Sequence, residues 1–124
     1  MVRASERQTK FMADVADWAQ DNLGVLFDGV YSGYNIQLHH VVGRSYKQNK
    51  VHIGHDFILP VPVVLHDVNS NHRLNVTHFR KRFTDAFGYQ RDLYSKMITS
   101  MRDTGYDENL PSDEILAAIQ QTNR

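Results

Sequence analysis

The chain has 124 residues, 14 lysines and arginines against 14 aspartates and glutamates, and no cysteine. That length suits one domain with its own hydrophobic core, and the lack of thiols excludes disulfides and thiolate metal sites. The longest apolar run, around Phe57 to Leu65, holds two prolines and is too short to span a bilayer, and "MVRASERQTK" lacks the apolar core of a signal peptide, so a cytoplasmic location with no membrane partner is expected.

Ser5 and Gln8 form an S-x-x-Q capping box, and Phe11, Val15, Trp18 and Ala19 follow at helical spacing. This predicts a first helix ending near Asn22 to Gly24, with glycine available for a left-handed stop. A short strand near Val25 to Phe27 leads into a loop rich in turn residues (Asp28, Ser32, Asn35). "IQLHHVV" reads as a strand with His39 and His40 on opposite faces. "GRSYKQNK" reads as a polar turn, and "VHIGHDFILPVP" as a second strand ended by Pro60 and Pro62. Pro62 suits the first turn of a short helix through "VVLHDVN", which would carry His66. Thr77 or Asn75 caps a further helix with Phe79, Phe83 and Phe87 as its stripe, His78 in its first turn and Gly88 at its end. "YQRDLYSKMITSMR" is a helix with Leu93, Met97 and Met101 inward; "DTGYDENLP" is an acidic linker; Ser112 caps a last short helix. The fold class expected is α+β. Residues 1–35 form an N-terminal helix and loop, 36–88 a ββα core and 89–124 the C-terminal helices.

All seven histidines lie between His39 and His78. Imidazole is the commonest protein ligand for transition metals and the natural proton carrier near neutral pH. The same region is basic. Residues 39–82 hold seven lysines and arginines (Arg44, Lys47, Lys50, Arg73, Arg80, Lys81, Arg82) against Asp56 and Asp67, a net of +5. Two readings of that charge stand side by side: contact with a polyanion, or solvation of an exposed face. His52 reads as a solvent-facing strand residue, and Trp18 as core.

The order is a strand bearing His-His, a basic turn, a strand, then a helix bearing a histidine. That is the ββα arrangement of HNH endonucleases. The stretch "LHHVVGRS…KVHIGHDFILPVP…LHDVNSNHRLNVTHFRKRFTDAFGYQRDL" resembles phage and prophage HNH proteins of the Ref-like, RecA-dependent nuclease family, over about residues 36 to 100. The resemblance implies a ββα-metal hairpin with a divalent ion, Mg²⁺ or Mn²⁺ for cleavage, with Zn²⁺ often bound. It implies that His39 is the first metal ligand and His40 the general base. Asp56, or its neighbour His55, falls at the middle position of the catalytic trio. His66 falls where the helix supplies a metal ligand. His72 and His78 both fall near a later ligand, and a first-turn helical position favours His78. DNA is the implied substrate, a RecA filament the implied partner, and the host bacterial cytoplasm the setting. Arg44, Lys47, Lys50, Arg80, Lys81 and Arg82 would contact phosphates, which gives affinity and salt dependence rather than base preference. The chain departs from many relatives in lacking a Cys-x-x-Cys pair before the His-His strand and a long basic N-terminal arm.

Structural roles compete for the same residues. His66 could bond a backbone carbonyl, His78 could cap a helix, and Asp56 could close a hairpin turn. A functional rival is a non-catalytic DNA-binding or recombination-accessory module that keeps the metal site for folding. A zinc hydrolase acting on another substrate is disfavoured, because no H-E-x-x-H occurs.

Overall fold

The computed structural model describes residues 3–27 and 35–124. Helix α1 spans Glu6–Asn22 and carries the expected capping box at Ser5 and Gln8, with Phe11, Val15, Trp18 and Ala19 buried. Its end differs from expectation. The helix tightens into a 3₁₀ turn, Leu23–Val25, rather than stopping on a left-handed glycine. Val25 to Phe27 therefore forms no strand. Asp28 and Ser32 of the expected loop lie outside the described residues.

Strand β1, Ile36–His40, runs antiparallel to β4, Ile58–Pro62, with His39 opposite Leu59 and His40 opposite Ile58. Between them lies more than a polar turn. A small hairpin joins β2, Lys47–Gln48, to β3, Val51–His52. Its two central residues, Asn49 (φ 52°) and Lys50 (φ 69°), are both left-handed, the geometry that matches strand twist in a two-residue turn. The expected second strand is thus two strands, parted by a turn in which Asp56 and Phe57 donate back to the Ile53 carbonyl. Gly54 makes that turn possible. A Cβ there would sit 2.2 Å from the Arg44 carbonyl oxygen, so the two backbone segments meet at a point only glycine fits.

Pro62 is the last residue of β4, as expected, but Pro60 lies inside the strand rather than ending it. Val41 donates to the Phe57 carbonyl (3.0 Å) and Val63 to the Asn35 carbonyl (2.9 Å). These bonds set the phase of the ladder, in which bonded and non-bonded pairs alternate. Pro60 and Pro62 fall on the non-bonded pairs, where the missing N–H would point away from β1. Two strands alone are marginal in water. Here all of β4 is buried, packed by α1 and by α3, Gln90–Asp103. Phe57 meets Tyr94 edge-on at 5.4 Å, and Trp18 Nε1 donates to Ser100 Oγ at 3.0 Å.

After β4 the expected short helix is a single 3₁₀ turn, Val63–Leu65, and His66 is its C-terminal cap rather than a helical residue. The cause is local. Asp67 Oδ1 accepts from the Asn69 N–H at 2.8 Å, and this side-chain turn diverts the backbone from helix. Helix α2 spans Arg80–Phe87, later than expected. Buried Asn75 is the reason: its Oδ1 takes the N–H groups of Thr77 (2.8 Å) and His78 (3.2 Å), so His78 sits in a turn ahead of the helix. Phe79 is the N-terminal cap residue, under the guanidinium of Arg82. Phe83 and Phe87 close on Phe27 as a ring cluster. Gly88 (φ 92°) ends the helix as expected. Helix α3 buries Leu93, Met97 and Met101, and α4, Asp113–Gln120, is capped by Ser112. Among the described residues the architecture is α+β, with four α-helices and two small antiparallel sheets. No described helix is long and apolar enough to cross a membrane.

Candidate functional site

Alternation along β1 sends Gln37 and His39 to one face and Leu38 and His40 to the other. On the first face His39 meets His66, ring centroids 4.8 Å apart at 63°. Each ring is tied by a glutamine. His39 Nε2 lies 2.9 Å from Gln90 Oε1, and His66 Nδ1 lies 2.6 Å from Gln37 Oε1. Gln37 Nε2 in turn donates to Asp67 Oδ2 at 2.9 Å. On the second face the His40 ring meets the buried His55 ring at 5.5 Å and 82°. His40 Nε2 is buried and has no hydrogen-bond partner among the described residues.

Burial favours the neutral form of three of these four imidazoles, His39, His40 and His66. Burial, then the neighbouring His66, pushes His39 down to about 4, although its bond to Gln90 works the other way. Burial, then Arg44, then His55 and His66, pushes His40 down to about 4. Burial also lowers His66, with Asp67 opposing. The Asn69 N–H, then the Gln37 amide, holds the Asp67 carboxyl below its ordinary range. Neutral imidazoles are the form that ligates metals and accepts protons.

His39, His40, Arg44 and His66 line one cavity, and His39 and His66 also line an adjoining one with Thr77, Arg80 and Gln90. Two exposed guanidiniums therefore stand near the histidines, Arg44 in the first cavity and Arg80 in the adjoining one. The other predicted cations stand elsewhere. Lys47 and Lys50 are on the β2–β3 hairpin, Lys81 pairs with Asp85 (3.3 Å), and Arg82 stacks on Phe79. His52 is exposed on β3, as expected.

The predicted site residues divide. His39, His40, His55 and His66 come together. His72 and His78 do not join them, and both are engaged in their own loop. His72 Nδ1 accepts from the Leu74 N–H at 3.1 Å, and His78 Nε2 donates to the Val68 carbonyl at 2.9 Å. Among the described residues no three histidines or carboxylates gather to hold an ion. Asp56 is fully buried and forked by Arg7, Nη1 to Oδ1 at 2.8 Å and Nη2 to Oδ2 at 2.9 Å, with Gln8 Nε2 also 2.9 Å from Oδ2. That carboxylate anchors α1 to the turn before β4; of the two residues expected at the middle position, His55 is the one whose ring meets His40.

Gln37, Gln90 and Asp67 were not foreseen as site residues. Gln37 had a signal, since it lies two residues before His39 on the same strand face. Gln90 had none, because it reaches His39 from a helix 51 residues away in sequence.

The spacing of the His39 and His66 rings would admit a divalent ion between them. Two imidazoles each about 2.1 Å from one ion hold their centroids roughly 4.6 to 5.3 Å apart for angles of about 90° to 110°. The observed 4.8 Å falls inside that interval. An ion held by these two nitrogens alone would take its remaining ligands from outside this donor pair. Set against known proteins, the chain matches no family model, no curated protein and no solved structure.

Proposed function

We propose that the protein is a metal-dependent DNA endonuclease of the HNH type, hydrolysing phosphodiester bonds. The observation that carries this reading is the single cavity lined by His39, His40, Arg44 and His66 beside an antiparallel strand pair. Under it β1, β4 and the segment bearing His66 stand for the ββα-metal core. His39 and His66 would hold the ion, which when bound neutralises charge on the scissile phosphate. Arg44 and Arg80 hold the phosphate from either side. His40, neutral at pH 7, takes a proton from the attacking water. Arg44 is one of the groups that hold His40 weakly basic, so a phosphate bound to Arg44 strengthens the base as substrate arrives. His55 keeps the His40 ring in place. The phosphate contacts carry little base preference, so DNA form rather than sequence sets the target. The Ref-like resemblance makes phage recombination the setting, the bacterial cytoplasm the compartment and a RecA filament the partner to include.

The test is incubation with supercoiled and single-stranded DNA, with Mg²⁺ or Mn²⁺, with and without a RecA filament. Wild-type protein is expected to cut, and His40→Ala to lose about 10²- to 10⁴-fold in rate. Absence of cutting under every condition, or undiminished cutting by His40→Ala, overturns the reading. One observation favours the accessory-module alternative: only two imidazoles meet where an ion would sit. On that alternative His40→Ala changes nothing measurable, and His39→Ala or His66→Ala unfolds the protein by loss of metal.

A further inference from the structure

We propose that Gln37 and Gln90 are positioning residues that choose which ring nitrogen each histidine offers, leaving Nε2 of His66 and Nδ1 of His39 to take the ion. This rests on the metal-dependent reading above.

Asp67 sets the orientation of Gln37. An ionised carboxylate only accepts hydrogen bonds. The Gln37 group 2.9 Å from Asp67 Oδ2 is therefore its NH₂, which turns the Gln37 carbonyl oxygen toward His66. Asp67 itself is pinned by the Asn69 N–H, so this orientation is fixed from behind. A carbonyl oxygen also only accepts. At 2.6 Å from it, His66 Nδ1 must carry the proton, and the lone pair is left on Nε2. On the other ring, Gln90 Oε1 lies 2.9 Å from His39 Nε2. That nitrogen donates, and the lone pair is left on Nδ1. Gln90 is almost wholly buried, and its backbone N–H is held by the Arg124 carbonyl at 2.7 Å, which fixes its place at the start of α3. The two rings thus offer opposite nitrogens, which neither identity nor spacing in the sequence specifies.

The partners are amides, whereas a carboxylate often fills this place behind a metal-bound histidine. An amide fixes the ring without placing a negative charge directly on it, and the Asp67 carboxylate stands one residue farther back, behind Gln37. On the cavity side, Arg44 and Arg80 favour an anion. This fits a site completed by a phosphodiester oxygen.

The experiment is a ¹⁵N–¹H correlation of the imidazole rings in the metal-free full chain at neutral pH, repeated after adding Zn²⁺ as a diamagnetic probe. His66 is expected as the Nδ1–H form and His39 as the Nε2–H form, with Zn²⁺ shifting His66 Nε2 and His39 Nδ1. Gln37→Leu should release His66 from its form and leave His39 unchanged; Gln90→Met should do the converse. Each should weaken Zn²⁺ binding about 10- to 100-fold. Should a variant fail to fold, the wild-type spectrum still decides. His66 as Nε2–H, His39 as Nδ1–H, or tautomers and Zn²⁺ affinity unmoved in folded variants overturns the proposal. The expected tautomers in a protein that cuts no DNA would sink the nuclease reading and leave the glutamine assignment standing.

Discussion

The histidines around β1 and those of the 67–79 loop are the same residue type in the same stretch, yet they sit in different surroundings. His39, His40 and His66 face other side chains (imidazoles, amides and a nearby guanidinium) and are held neutral by burial. His72 and His78 face backbone. They finish a loop organised by Asn75, whose side chain also donates to the Asp67 carbonyl at 2.9 Å. An imidazole that gives one nitrogen to a backbone group still has the other, as does one held by an amide. Placement parts the two groups: His39, His40 and His66 line one cavity, whereas His72 and His78 are held within their own loop.

The comparison breaks most sharply on activity. His39→Ala and His66→Ala should each cost DNA cleavage at least about as much as His40→Ala, on the order of 10²-fold or more. His72→Ala and His78→Ala should change the rate by only a few-fold, read in one plasmid-nicking series. Equal losses from both groups would erase the distinction.

Next in size is the support beneath His40. Arg7→Ala leaves the Asp56 carboxylate buried without its cation, which should cost about 3–5 kcal/mol in urea unfolding. The damage should concentrate at the 53–57 turn and at His55, and hydrogen exchange should show the 67–79 loop still protected. A loss below 1 kcal/mol would mean that Asp56 does not anchor this face.

Gly54→Ala acts on the same turn more mildly. The added methyl meets backbone at Arg44, so about 1–3 kcal/mol of overpacking is expected, again read by urea unfolding. Neutral behaviour would contradict the close approach of the two segments.

Acid should sharpen the contrast. His39 and His40 have folded values near 4, below the ordinary 6.5, so between these limits the unfolded chain binds more protons. Their contribution to stability is complete above 6.5 and is lost as pH falls through 4. Melting temperature should drop from pH 7 to pH 5, and His39→Gln with His40→Gln should flatten that slope. A slope unaltered in the double variant would assign the acid sensitivity to other groups.

Much of the helical frame was legible, because capping and periodicity are local. Ser5 with Gln8, the Phe11 to Ala19 stripe, Leu93 with Met97 and Met101, and Ser112 all lie where spacing puts them. The misses share one physical form: side chains and chain partners outweighed local signals. The β2–β3 turn uses Asn49 and Lys50 without a glycine to announce it. Pro60 looks like a strand breaker until the ladder's phase shows that no N–H is needed there. Asp67 and Asn75 capture backbone N–H groups and so cut one helix to a turn and delay the next. For the site, strand alternation gave His39 and His40 opposite faces, and His66 arrived beside His39. The convergence of His72 and His78 did not follow, since sequence proximity carries no direction for a loop. Gln90 was invisible because its contact with His39 exists only after α3 packs.

The most direct test of a His39–His66 ion site is Zn²⁺ titration calorimetry on wild type, His66→Ala and the His72→Ala/His78→Ala double variant. One ion per chain, lost in His66→Ala and retained in the double variant, is the predicted result. Retention in His66→Ala, or loss in the double variant, would contradict it.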